Sequence, residues 1–181
     1  MDAAAGGITG CISTDFSCMR LQCTLLGARR MKGYRHSILF LCTANASRSQ
    51  LAEAIARANH GDILEVHSAG SRPAGWVHPL ATRAMQEIGV DTTGQRSKGV
   101  TEFARKEFDM VVTLCTSAAK DCPIWPGARR VINWDIEDPS FGDDDPETRY
   151  LRFRQTRDEL IWKIAELVAD LREEIEPHGT G

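Results

Sequence analysis

Two features of the chain could do chemistry: a cysteine followed six positions later by an arginine in "CTANASR" (residues 42–48), and a pair of cysteines seven positions apart, Cys115 and Cys122. A thiolate is a strong nucleophile when its surroundings favour negative charge. Between Cys42 and Arg48 lie only small or polar residues, Thr43, Ala44, Asn45, Ala46 and Ser47, and Ser49 follows the arginine. Such a loop can curl until its backbone N–H groups face inward with a helix start behind them, and both features favour a bound oxyanion. Arg48 adds a guanidinium able to grip two anion oxygens at once. The same field favours the thiolate of Cys42. Asn45 and Ser49 can hold the loop shape or hydrogen-bond the sulfur, and asparagine tolerates a left-handed backbone. A buried cysteine at a strand end with a surface arginine nearby is the plainer alternative. It accounts less well for a strand, a small-residue loop and a helix in that order.

The elements that must position these residues follow from periodicity. "SILFLC" (37–42), "DILEVHS" (62–68), "DMVVTLC" (109–115) and "RVINWD" (130–135) read as strands, being short, apolar and rich in β-branched residues. Helical spacing covers 49–60, about 79–88, 101–107 and about 147–175. Pro79 suits a first helical position and Gly89 a stop. In the last helix Leu160, Ile161, Ile164, Leu167, Val168 and Leu171 form one apolar stripe. Strands alternating with helices predict a single α/β domain with a four-stranded parallel sheet flanked by helices. Such sheets bind ligands beyond the carboxyl ends of their strands. Cys42 ends the first strand, Cys115 the third, and Asp138 lies just past the fourth, so one sheet edge gathers all three.

Composition narrows the function classes. A length of 181 residues suits one domain with a real core. The net charge of −3 offers no electrostatic footprint for nucleic acid or an anionic membrane. No apolar run approaches the length of a membrane span. The cysteines are scattered rather than framework-like, which points to reactive thiols in a reducing, cytoplasmic setting. Residues 1–34 read as an N-terminal extension without fixed structure, 35–176 as the domain and 177–181 as a tail. Cys11, Cys18 and Cys23 lie in the extension with no histidine or CxxC partner to suggest a metal, and its acidic start makes a poor signal peptide. No metal site is expected, and a monomer is.

"FLCTANASRSQLAEA" resembles the signature loop of the low-molecular-weight protein tyrosine phosphatase superfamily. It is most similar to that of the thioredoxin-coupled arsenate reductases, whose loop typically reads C-T-G-N-S-C-R-S-Q. The resemblance continues through "VHSAGSRPAGWVHPLATRAMQEIGVD", "RSK", "FDMVVTLC", "DCPIWPG", "NWDIEDP" and "FRQTRDEL", covering about residues 36–175. It implies a flavodoxin-like three-layer sandwich. Gln50 is the residue of the reductases, where the phosphatases usually carry proline. Cys115 and Cys122 match the further cysteine pair of the reductases, for which a plain phosphatase has no use.

Carried over by position, the resemblance implies that Cys42 attacks arsenate in a cradle formed by residues 43–49. Asp138 serves as general acid, and Cys115 and then Cys122 relay a disulfide to an external thiol protein such as thioredoxin. Asp138 is preferred over Asp135 and Glu137 because Pro139 holds it extended and because it matches the family's Asp-Pro. No bound organic cofactor is implied; a potassium ion near the loop asparagine is a feature of some relatives. Helical geometry would set Cys115 and Cys122 roughly 10 Å apart, beyond the ~7 Å reach of a disulfide, so "TSAAKD" must loop out for that bond to form. His67 and His78 suit core or capping roles, and Trp76 the pocket mouth. Two positions depart from the pattern: Ser47 replaces a loop cysteine, and Ala44 replaces a glycine, which would strain a loop requiring positive φ there. The readings are an arsenate reductase, a phosphatase acting through a Cys42 phosphocysteine, and a non-catalytic oxyanion or redox sensor.

Overall fold

The computed structural model describes residues 35–115, 125, 127–142 and 145–175. The extension with Cys11, Cys18 and Cys23, the tail 177–181, and Cys122 with the segment around it lie outside the described residues. The described elements are β1 (His36–Cys42), α1 (Arg48–His60), β2 (Leu64–Gly70), α2 (Pro79–Glu87), a 3-10 turn (Val100–Phe103), β3 (Phe108–Thr113), β4 (Ala128–Asn133) and α3 (Pro146–Ile175). All ladders are parallel and the strand order is β2-β1-β3-β4. The chain leaves β1 toward one side for β2 and crosses to the other for β3. The switch point, where a crevice opens beyond the strand ends, therefore lies between β1 and β3.

From Ile38 to Cys42 β1 is apolar without interruption because both its faces are covered there. Ile38, Phe40 and Cys42 join the larger core with α1, α2 and α3, whereas Leu39 and Leu41 join a smaller one with Phe108, Val111 and Trp125. Fully buried Phe40, Phe153 and Leu160 each stabilise the fold by about 1.5–3 kcal/mol through removal of apolar surface from water. The predicted stripe of α3 faces this core, with Ile161 at its margin. β4 is an edge strand carrying Arg129 and Arg130 outward, charges that discourage further strand pairing.

The boundaries of β2 and β4 each shift by two residues from the sequence expectations, and two further differences bear on the site. The stretch 101–107 forms only a 3-10 turn, with Ala104 N–H bonded to Thr101 O and Lys106 N–H to Phe103 O. A seven-residue segment cannot repay the cost of helix nucleation, and Phe103 is held instead by ring contacts with His67 and Phe108. β3 ends at Thr113, so Cys115 sits beyond the ladder on a segment where Leu114 still bonds to Leu41 O at 2.7 Å. Among the described residues no helix is long and apolar enough to cross a membrane.

Candidate active site

The loop joining β1 to α1 is shaped by where its carbonyls go. Those of Cys42, Thr43, Ala44 and Ala46 accept the backbone N–H groups of Ser71, Arg72, Ala74 and His78 at 3.3, 2.8, 2.9 and 2.8 Å. Ser97 Oγ adds a second bond to Ala44 O at 3.1 Å. A trans peptide sets its N–H opposite its carbonyl, so the amides of residues 43, 44, 45 and 47 point to the other side, into the cradle. Asn45 demonstrates the result: its N–H donates to Cys42 Sγ at 3.2 Å. Asn45 also takes the loop's only left-handed conformation, φ 47°. The strain foreseen for Ala44 does not arise, because the turn falls one residue later on a type that tolerates it.

Cys42 is 2% exposed, and its sulfur has a second polar neighbour in Ser49 Oγ at 3.0 Å. Ser49 Oγ itself receives Asn45 Nδ2 at 2.8 Å, which leaves its hydroxyl proton available to the sulfur when Cys42 is a thiolate. The helix behind starts without a side-chain cap from Ser47, which leaves its positive end toward the cradle.

Arg48 is 7% exposed and reaches across to the segment after β4, donating from Nη1 to Ile136 O at 3.0 Å and from Nη2 to Asp138 Oδ2 at 2.7 Å. The other carboxylate oxygen of Asp138 accepts from Ser140 N–H at 3.0 Å and Ser140 Oγ at 2.6 Å. Asp135 and Glu137 are exposed, and Asp135 turns through φ 44°. Cys115, buried at 5% exposure, lies 3.6 Å from Thr43 Oγ1, which sets a second thiol beside the loop. Cys42, the 43–49 loop, Arg48, Asp138 and Cys115 are thus brought together, whereas Cys122 lies outside the described residues. His78 caps α2 by accepting Leu80 N–H at Nδ1, 3.1 Å away, and stacks on Phe153. Burial and then Arg149 hold its imidazole below the ordinary value of 6.5, with Asp138 opposing. Trp76 is exposed beside it.

Several supporting residues escaped the sequence reading. A Cβ on Gly70 would stand 2.7 Å from Thr43 O and 2.8 Å from Asn45 N, so only glycine lets the end of β2 approach the loop. Beneath the loop lies a buried polar network. Asn45 Nδ2 donates to Ser68 Oγ at 2.9 Å, Ser68 Oγ donates to Glu53, and Lys98 Nζ pairs with Glu53 at 2.9 Å. Arg57 occupies the other carboxylate oxygen of Glu53. No local sequence pattern marks this network: every residue of α1 from Arg48 to Ala56 is buried, Glu53 included, and a charge there demands a buried partner.

This network does not fit a potassium ion. Asn45 Oδ1 already accepts Lys98 N–H at 2.6 Å and Gln50 Nε2 at 2.9 Å, and the ammonium of Lys98 supplies the positive charge against Glu53. Among the described residues there is also no group of three or more His, Cys, Asp or Glu able to hold a metal.

Residues 37–177 match the family described as low molecular weight phosphotyrosine protein phosphatase. The arsenate reductase of Halalkalibacterium halodurans is 40% identical over 127 residues, 70% of this chain and 91% of that protein. That of Bacillus subtilis is 38% identical over 129 residues, 71% and 92% respectively. A solved arsenate reductase in the phosphate binding state matches with a TM-score of 0.63 at 29% identity, over 75% of this chain and 98% of that one. A thioredoxin-dependent arsenate reductase of Corynebacterium glutamicum gives 0.62 at 29% identity, over 88% and 73%. The chain belongs to the low molecular weight phosphotyrosine protein phosphatase family and, within it, is closely related to bacterial arsenate reductases.

Proposed function

We propose that the chain is an arsenate reductase with Cys42 as its nucleophile. The observation that carries this reading is the pair of donors on Cys42 Sγ, Asn45 N–H and Ser49 Oγ, in a loop whose carbonyls are turned away. The thiolate attacks the arsenic of arsenate, while the loop amides and Arg48 stabilise the charge that develops on the oxygens. The oxyanion competes with Asp138 for the Arg48 guanidinium, and a proton carried by the released Asp138 goes to the departing oxygen, which leaves as water. A covalent arseno-cysteine results. Cys115, beside Thr43, then attacks Cys42 Sγ. The S–S bond forms as the S–As bond breaks, and its electron pair stays on arsenic, reducing As(V) to As(III), which departs as arsenite. Cys122 attacks Cys115, regenerates the Cys42 thiolate and leaves a Cys115–Cys122 disulfide for an external dithiol protein of the thioredoxin kind to reduce.

The second thiol at the cradle favours the reductase over the phosphatase reading, since phosphate-ester hydrolysis needs Cys42, Arg48 and Asp138 but not Cys115. The test is arsenate-dependent NADPH oxidation with thioredoxin and thioredoxin reductase, run beside an aryl phosphate. Arsenate-dependent turnover that vanishes in Cys115→Ser is expected. Aryl phosphate hydrolysis without any arsenate-dependent oxidation would instead establish the phosphatase.

A further inference from the structure

Gln50 is the third residue of α1 and only 1% exposed. At an ordinary helix start, a glutamine in this position turns its side-chain carbonyl back to the N-cap amide. Here the side chain points its donors the other way. Nε2 divides its two hydrogens among three acceptors, Asn45 O at 3.0 Å, Asn45 Oδ1 at 2.9 Å and Arg96 O at 2.8 Å. The backbone carbonyl of Gln50 in turn receives Gln95 Nε2 at 3.1 Å. With Ser47 also making no side-chain cap, neither device that usually closes a helix N-terminus is aimed at the cradle amides.

The residue that Gln50 grips is the one that reaches the nucleophile by two routes. Asn45 N–H lies 3.2 Å from Cys42 Sγ. Asn45 Nδ2 reaches Ser49 Oγ at 2.8 Å, which is 3.0 Å from the same sulfur. The second route works only if the Asn45 amide is oriented with its nitrogen toward Ser49. Gln50 Nε2 and Lys98 N–H, both donors, fix that orientation by occupying Oδ1. Three carbonyl oxygens converge on Gln50 Nε2; Asn45 Oδ1 and Arg96 O also accept from Lys98, at 2.6 and 3.3 Å, so loss of the Gln50 donor falls hardest on the backbone carbonyl of Asn45. The left-handed turn at Asn45, φ 47°, is tethered through the same contact.

Resting on the reading of Cys42 as nucleophile, we propose that Gln50 is a positioning residue for the reaction: it holds Asn45 so that the Cys42 thiolate keeps both donors, and by donating away from the helix end it leaves the cradle amides to the oxyanion. Gln50→Met keeps the length and loses the donors. Gln50→Glu keeps the shape, sets a carboxylate against three carbonyls, and can swing back to cap the helix start beside the oxyanion. The readouts are the pH profile of Cys42 alkylation by iodoacetamide, followed by peptide mass, and the inorganic phosphate concentration that half-protects Cys42.

In the unsubstituted protein Cys42 should react ahead of the other cysteines and be protected by phosphate. Failure there removes the nucleophile reading, and this proposal with it. In Gln50→Met the alkylation profile should move to higher pH and half-protection should need about tenfold more phosphate, the worth of a lost hydrogen bond or two. Gln50→Glu should need more still. A folded Gln50→Met with the original profile and the original protection, even one less stable to urea, overturns the proposal. If the Met variant does not fold, an unaltered profile in Gln50→Glu overturns it equally.

Discussion

At the scale of single residues, the site is a problem in directing donors. Cys42 Sγ gains Asn45 N–H and Ser49 Oγ because four loop carbonyls are engaged from outside by residues 71–78. Much of this was legible in the sequence: the Cys-x5-Arg spacing named both ends of the cradle, and Asn45 was a natural bearer of a left-handed turn. What was not legible was which loop position needs positive φ. Ala44 was the suspect and Asn45 carries it, since loop register depends on hydrogen bonds to a distant segment. The choice of acid is open to a direct test. Asp138 shares Arg48 Nη2 at 2.7 Å, whereas Asp135 is exposed and turned by its positive φ. Asp138→Asn should slow arsenate turnover by roughly 10²–10⁴-fold, the usual contribution of a positioned proton donor, and Asp135→Asn should leave it within about twofold. Steady-state rates of the two variants decide it, and equal losses would mean that the proton comes from elsewhere.

At the scale of elements, the strands and helices were readable because each has a strong period or a strong stop. β1 is a continuous apolar run from Ile38 to Cys42, and α2 runs from Pro79 to Glu87 before Gly89 turns through φ 71°. The 101–107 stretch departs from the expected helix because its one large apolar residue, Phe103, joins a ring cluster with His67 and Phe108 rather than a helix face. His78 ties elements together: its N–H holds Ala46 O, its Nδ1 caps α2, and its ring stacks on Phe153 of α3. Its imidazole sits below the ordinary value of 6.5, chiefly through burial and then Arg149, against the pull of Asp138. A histidine depressed in the fold binds its proton more readily when unfolded. Its contribution is therefore fully present above the unfolded value and declines as pH falls through 6.5 toward the lower folded value. Protonation at Nδ1 also removes the acceptor for Leu80 N–H. Urea unfolding at about pH 7.5 and about pH 5.5 should show a stability loss that is smaller in His78→Asn, which retains a capping oxygen. His60, also depressed by burial and Arg172, accounts for a remaining slope. An unchanged slope in His78→Asn would contradict this role.

At the scale of the whole molecule, the topology explains why residues so far apart in sequence meet. With the order β2-β1-β3-β4, the segments leaving β1 and β3 open side by side at the switch point, and the turn after β4 brings Asp138 over Arg48. The alternation of strands and helices foretold that convergence. The buried Glu53–Lys98 pair and the glycine requirement at residue 70 were hidden from it, because both follow from contacts between α1, β2 and the segment near residue 98 that no local pattern encodes. In the proposed mechanism one molecule uses Cys42 to take up arsenate and Cys115 to reduce it. The direct measurement is non-reducing peptide mapping of Cys122→Ser after a single exposure to arsenate without reductant. One equivalent of arsenite and a peptide pair joined by a Cys42–Cys115 disulfide are expected, while Cys115→Ser should yield neither. Arsenite release with both thiols still alkylatable, or full thioredoxin-coupled cycling by both variants, would contradict it.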